Sequence, residues 1–306
     1  TLALGIGLST AIFSLTYSLL LRALPYPEAD RLVMIWLTHP AAMAAGNPRF
    51  SPNALNYQEW QAQAQSFDGL ALARTGMSYN LTGDARPERV VGIKATSNLA
   101  QVFGVPPRLG RMFTAEEMEH DAKLAVLSDG FWTRSFARDP AVIGRRIQLN
   151  GEAYEVIGVL PPEFQFPANE FDLLTPLLVP PQEQQSHSHF YYRVIARLKA
   201  GISLQQAQAE TTAITARVDE RNPNRSGPSQ QGTQMESLLD ANVGQFRTTL
   251  YVLLAAVGCL LLIGCVNLGG LLIVRASART HEFAIRAALG ASRMRLCSQT
   301  LAEVLP

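Results

Sequence analysis

The 306-residue chain is short of cysteine, of lysine and, over two long stretches, of charge of either sign. Its 3 cysteines are Cys259, Cys265 and Cys297, and none falls between residues 23 and 247. That is too few for a disulfide framework or a zinc cluster, and a large region without cysteine suits an oxidising compartment. The only lysines are Lys94, Lys123 and Lys199, none preceded by glycine, so the chain has no Walker A loop and no nucleotide site of that kind. Neither a Gly-x-Ser-x-Gly elbow nor a His-Glu-x-x-His pair occurs. With 26 basic and 25 acidic residues the net charge of +1 leaves no electrostatic footprint for nucleic acid.

The missing charge is concentrated. Residues 1–21 and 248–274 contain no Asp, Glu, Lys, Arg or His. A helix of 21 residues reaches about 31 Å, the thickness of a bilayer's hydrocarbon core. The first run is longer than the apolar part of a signal peptide, and no small-x-small cleavage site follows it, so it reads as an uncleaved anchor. We expect transmembrane helices over 1–22 and 248–274 and the start of a third over 301–306, the chain being a piece of a longer membrane protein. After the second run, Arg275, Arg279, Arg286, Arg293 and Arg295 face only Glu282 and Glu303, which places 275–300 in the cytoplasm and the mildly acidic region 23–247 on the far side of the bilayer. In the first span Gly7, Ala11, Ser14 and Ser18 share one helix face. Ala255, Gly258, Cys265 and Gly269 line a similar stripe in the second. Such small faces let helix backbones approach closely, and Asn267 supplies one polar side chain for a hydrogen bond between helices.

Region 23–247 alternates strand and helix signals and reads as an α+β domain. RLVMIWLT at 31–38 predicts a strand, and the Ser51-Pro52 pair predicts a helix start with one as cap and the other as first residue. Residues 98–103 read as a short helix stopped by Gly104, and 124–127 as a buried strand followed by a helix over 131–137. RRIQLN-G-EAYEVIGVL predicts a hairpin turning at Asn150-Gly151. A strand over 190–198 precedes a helix over 204–218, with Ser203 and Gln206 at capping-box spacing and Ala207, Thr211, Ile214 and Val218 on the buried face. Proline does not interrupt the chain from Leu238 into the second apolar run. The acidic group Glu116, Glu117, Glu119 and Asp121 lacks the spacing of a calcium loop and reads as a solvated helix, while His187 and His189 have no partner that would complete a metal site. No catalytic, cofactor-binding or metal-binding constellation emerges.

The cytoplasmic stretch RASARTHEFAIRAALGASRMRL is the most informative. Arg279, Arg286 and Arg293 recur every seven residues, and Glu282 precedes Arg286 by one helical turn. Gly290 can end that helix and Ser292 can cap the next, giving an amphipathic helix, a tight stop and a return to the membrane; a surface helix lying in the headgroups is the alternative.

HEFAIRAALGASRMRL resembles the signature after the second membrane helix of MacB/FtsX-type ABC transporter permeases. The stretches LGIGLSTAIFSLTYSLLLRALPYPEADRLV, SNLAQVFGVPPRLGRMF, AVLSDGFWTRSFARDPAVIGRRIQLNGEAYEVIGVLPPEF and ARLKAGISLQQAQAE are similar to the MacB-like periplasmic core domain, in the version found in duplicated permeases of acidobacterial type. Phe283, where isoleucine is frequent, and Asp129, where tyrosine or glycine is, are small departures. The resemblance implies a non-catalytic permease subunit of the bacterial inner membrane, with several spans and its large domain in the periplasm. It implies no cofactor in this chain, ATP being bound by a separate cytoplasmic ABC ATPase. By the same resemblance Glu282, Phe283, Ile285, Arg286 and Leu289 lie on the coupling helix that docks on the ATPase, with Gly290, Ala291, Ser292 and Arg293 at the turn that follows. It further implies a second permease half or a homodimer, a periplasmic adaptor or outer-membrane channel for an exporter, and a role as a mechanical transmitter in efflux or extraction. A two-span sensory receptor with a periplasmic ligand-binding domain is the competing expectation, which requires sustained heptads beyond the membrane where this chain has Gly290.

Overall fold

The computed structural model describes Gly7, Thr10, Ser14 and residues 24–44, 46, 49–82, 87–167, 170–184, 189–221 and 231–278. Two compact units divide the chain, Ala23–Gln245 on one side and Thr1–Arg22 with Phe246–Pro306 on the other. The first is an α+β domain with the elements β1 (Leu32–Thr38), α1 (Pro40–Ala44), α2 (Ala54–Gln63), β2 (Phe67–Thr82), β3 (Glu88–Ala95), α3 (Leu99–Phe103), β4 (Leu109–Gly110), α4 (Ala115–Glu119) and β5 (Leu124–Leu127). After these come α5 (Asp129–Phe136), β6 (Arg146–Leu149), β7 (Glu152–Val159), β8 (Leu173–Pro176), α6 (Pro181–Gln184), β9 (Arg193–Leu198), α7 (Leu204–Arg221) and β10 (Gly232–Ser237); the last helix, α8 (Leu238–Ala278), has most of its length in the other unit.

Local chemistry accounts for most of these boundaries. Asn150 and Gly151 both have positive φ, 52° and 84°, and turn β6 into β7. Gly104 ends α3 with φ 68°. Ser203 Oγ accepts from Gln206 N at 3.3 Å while Gln206 Oε1 accepts from Ser203 N at 2.9 Å, and Ala207, Thr211, Ile214 and Val218 are the buried face of α7, joined by Thr215. Thr114 and Glu117 make the same reciprocal cap on the short acidic helix α4. Two expectations need correction. Ser51 does not cap α2; Asn53 does, its Oδ1 accepting from Asn56 N at 2.8 Å, because asparagine caps as well as serine and packing buries the extended Asn53 directly before the first helical turn. β9 starts at Arg193 rather than residue 190, since Tyr191 and Tyr192 turn their hydroxyls to Glu183 on α6.

The strand order β10-β1-β9-β2 is antiparallel throughout, and with α2 and α7 as crossovers it makes the βαββαβ pattern of ferredoxin-like sheets. The chain from β3 to β8 is inserted between the second and third strands of that pattern. β1 shows why the sheet is buried on both faces: Val33, Ile35 and Leu37 join the cluster under α2 and α7, whereas Leu32 and Met34 join a second cluster on the opposite face. Trp60, fully buried, ties α2 to α7 through Nε1–H to Thr215 Oγ1 at 3.0 Å. β10 is an edge strand, and its outward N–H groups do not stay open. Thr233 and Met235 of the strand, and Gln231 just before it, donate their N–H groups to Thr212 Oγ1, Gln208 Oε1 and Asp219 Oδ2 of α7, at 3.2, 3.1 and 2.8 Å.

β2 is long enough to serve two assemblies. Its first half pairs with β9, its second with β3, and Leu81 and Thr82 pair with β6. The ladder β2-β3-β8-β5-β7-β6 thereby returns to β2, a closed circuit of six strands. Phe131, Trp132 and Phe136 of α5 pack against its third cluster, with Tyr79, Leu127, Tyr154 and Leu173.

The short strand β4 meets this circuit where two glycines face each other, Gly110 opposite Gly158. Gly110 has φ 67°, and a Cβ there would lie 2.1 Å from Ile157 O; a Cβ on Gly158 would lie 2.4 Å from Arg111 O. Both positions are closed to any other residue without backbone movement. Gly110→Ala should therefore destabilise the domain by about 2 kcal/mol or more, while Gly130→Ala, on the exposed turn of α5 with only Ser128 Oγ near at 3.9 Å, should not. Thermal unfolding followed by circular dichroism measures both, and equal melting temperatures would refute the steric reading.

Candidate functional site where the chain enters and leaves the domain

Antiparallel pairing of β1 with β10, Val33 opposite Ser237, puts the beginning and the end of the domain at one end of one sheet. The incoming segment is held there by three side chains. Tyr26 is buried, its ring 5.0 Å from that of Phe103 in an edge contact; its hydroxyl donates to Gln165 O and accepts from Gln165 N at 3.0 Å. Burial pushes its phenol up to about 12, so it stays a neutral donor. Arg31 binds three ways, Nε to Leu198 O at 2.7 Å, Nη1 to Glu28 Oε2 at 2.6 Å and Nη2 to Asp68.

Arg197 is the third and the least expected. It sits in β9 with 9% of its surface exposed, and its guanidinium gathers backbone carbonyls: Nε donates to Val102 O at 2.8 Å, Nη1 to Pro27 O at 3.0 Å and to Glu28 O at 3.4 Å. Burial, helped by the nearby charge of Arg31, holds its pKa below the usual arginine range. Its Nη2 is buried without a hydrogen-bond acceptor among the described residues. Gly104 explains how the group fits, since a Cβ at that position would lie 3.2 Å from Nη2 and 3.6 Å from Pro27. Glu28, whose carbonyl and carboxylate both face this arginine, has the left-handed φ of 48°.

The outgoing segment meets the same core. Ser237 Oγ accepts from Asp240 N at 3.0 Å at the start of α8, and Leu238, fully buried, belongs to the cluster that contains Tyr26 and Phe103. Nothing in the sequence reading marked these residues, although an arginine inside the apolar strand RVIARL was the available signal. Among the described residues no His, Cys, Asp and Glu group could hold a metal ion. What the arrangement can do is mechanical: it fixes both chain ends to one sheet end through backbone carbonyls and a shared core.

In the other unit, Gly7, Thr10 and Ser14 are helical, with Gly7 and Ser14 exposed; Ala11 and Ser18 lie outside the described residues. α8 contains one segment long and apolar enough to cross a membrane, Tyr251–Leu271, with mean hydropathy 2.4 and 6% of it buried. Leu262, Ile263, Val266 and Leu271 are all more than half exposed there. Gly258 and Asn267 are exposed and Gly269 half-buried, and among the described residues nothing approaches within 4 Å of a Cβ on either glycine. Glu282, Phe283, Ile285, Arg286, Leu289, Gly290, Ala291, Ser292 and Arg293 all lie outside the described residues, as do His187 and Ser188.

Comparison with known proteins agrees with this architecture. Two macrolide export ATP-binding/permease proteins MacB, from Azoarcus sp. (strain BH72) and Bdellovibrio bacteriovorus, are each 25% identical to it, over 234 and 209 residues. These matches cover 74% and 66% of this chain but 34% and 31% of the relatives, so the chain spans about a third of their length. A crystallised domain from Porphyromonas gingivalis shares the fold with a TM-score of 0.53 at 14% identity, covering 69% of this chain and 91% of that one. The family model of the MacB-like periplasmic core domain matches residues 1–214, from the first apolar run through strands β1 to β9 into α7. On that extent of match, the chain belongs to the family of MacB-like periplasmic core domains.

Proposed function

We propose that the chain is a membrane permease subunit of an ABC transporter or mechanotransmission complex, in which a separate cytoplasmic ATPase moves the extracytoplasmic domain to export or extract a substrate. Family membership over residues 1–214 is the observation that carries this reading. The relatives' description as ATP-binding/permease proteins supports its ABC character. In it, 1–22 and 248–274 are the first two spans, 23–247 lies in the periplasm, 275–300 forms the coupling helix and turn, and 301–306 opens a third span of an inner-membrane protein. Gly7, Ala11, Ser14, Ser18, Gly258, Asn267 and Gly269 pack span against span or against a second permease half or copy. The chain performs no chemistry and binds no nucleotide; a periplasmic adaptor or outer-membrane channel completes an exporter.

The site at the sheet end gives this reading a physical route. A transmitter needs its domain to follow its helices, and a chain end tethered only by a flexible linker would dissipate displacement as linker motion. Here the incoming segment is bound by Tyr26, Arg31 and Arg197, and α8 begins from a buried leucine and runs as one helix from Leu238 to Ala278.

Two experiments test these parts separately. Arg286→Glu in the full-length protein reverses the charge of the coupling helix. It should abolish co-purification of the partner ABC ATPase while membrane insertion, followed by carbonate extraction, is unchanged; undiminished co-purification would sink the assignment. Arg197→Met keeps the apolar stem but takes the guanidinium donor from Val102 O and Pro27 O, leaving Glu28 O with Arg31 N alone. It should lower stability by about 2–3 kcal/mol and the melting temperature by about 5 °C or more, and open residues 24–31 to limited proteolysis. Unchanged melting and digestion would show that the arginine does not hold the segment.

A further inference from the structure

At the other end of the same sheet lies an arginine pair that the proposed role does not use. Trp36 in β1 stands beside Arg193 in β9 and, across β10, near Glu236, since Trp36 is paired with Gln234 and Met34 with Glu236. The Arg193 guanidinium carbon lies 4.6 Å from the Trp36 ring centroid, and that of Arg49, from the chain following α1, lies 4.7 Å from it. Two cations are thus gathered on one indole.

Their anionic partners are unequally shared. Glu236 is taken by Arg49 Nη1 through one carboxylate oxygen and by Trp36 Nε1 through the other, at 2.7 Å. Among the described residues none accepts a hydrogen bond from Arg193. Arg193 is only partly exposed, and its pKa is held below the arginine range by burial first and by the like charge of Arg49 second, with Glu236 opposing. Desolvating an arginine beside another without an acceptor is unfavourable for folding, and arrangements of that kind are characteristic of binding sites. A contrast within the same domain makes the point. Arg108 also stacks on a tryptophan, 5.8 Å from the Trp132 ring, but has the carboxylate of Asp129 3.4 Å away.

From this geometry we infer that Trp36, Arg49 and Arg193 form a site for an oxyanion, a carboxylate or phosphate group on a small organic ligand. The Arg193 guanidinium lies against the indole, and its N–H groups, from which none of the described residues accepts, are of the kind that grip an oxyanion with two parallel hydrogen bonds. The anion neutralises the surplus charge of the pair, Glu236 being able to balance only one of the two. The π-face of Trp36 keeps Arg193 oriented before the ligand arrives.

The test is isothermal titration of the whole chain, in neutral detergent, with sodium benzoate and separately with inorganic phosphate. The wild-type protein should bind at least one of them saturably, with Kd on the order of 1 mM. Arg193→Gln should raise that Kd about tenfold or more, Arg49→Gln severalfold, and Arg108→Gln not at all. Benzoate without phosphate marks a carboxylate ligand with an apolar body, and the reverse marks a phosphate. Should Arg193→Gln fail to give a cooperative melt, Arg193→Lys keeps the charge and loses the planar fork, and it should show the same loss. Absence of saturable binding of both probes, or an Arg193 variant that melts cooperatively and binds like wild type, overturns the proposal.

Discussion

The antiparallel pairing of β1 with β10 is the constraint on which the rest of the molecule depends. These are the first and last strands of the domain, and because they lie side by side and run in opposite senses, Leu32 begins where Ser237 ends. Every other element can be inserted between them without moving the two chain ends apart. The hydrogen-bonded ladder thus does for the domain what a disulfide would do in a cysteine-rich protein: it clamps distant sequence positions together. No cysteine occurs anywhere between residues 23 and 247.

β2 carries the second burden. A strand of 16 residues would be unusually exposed in a single small sheet, and the chain resolves this by handing it from β9 to β3 and β6 partway along. The price is a register shift between Arg74 and Met77 in its pairing with β3. The reward is that the sheet at the chain ends and the closed circuit share one continuous backbone and are joined by hydrogen bonds and not by a linker. Three core clusters follow from this plan, one on each face of the first sheet and one against α5.

Much of the fold was legible because its signals are local. Asn150-Gly151, Gly104 and the Ser203/Gln206 cap each act within a few residues, and each is where its chemistry requires. β2, β3, β8 and β10 were not anticipated, for a reason visible in their composition. β10 reads GTQMES, with only Thr233 and Met235 buried, and β2 carries Gly69 and Gly76; their strand character comes from neighbours and not from their own apolar pattern. The cap of α2 was misplaced because Ser51, Pro52 and Asn53 are three adjacent start signals, and only packing decides among them. Residues that bind carbonyls across 95 or more positions, as Arg197 does with Val102, leave no periodicity to read. The spans and the coupling segment rest on composition and on family resemblance, and on the exposed apolar surface of Tyr251–Leu271.

The covering of β10 by α7 limits how this protein can meet others. An open edge strand is an invitation to add a further strand, from a peptide, a second copy or a misfolded neighbour, because its unpaired N–H groups recognise any extended backbone. Asp219, Thr212 and Gln208 occupy those donors with side chains. A strand approaching this edge of the domain therefore meets three backbone donors that are already engaged. The same three hydrogen bonds oppose strand-wise addition at this edge.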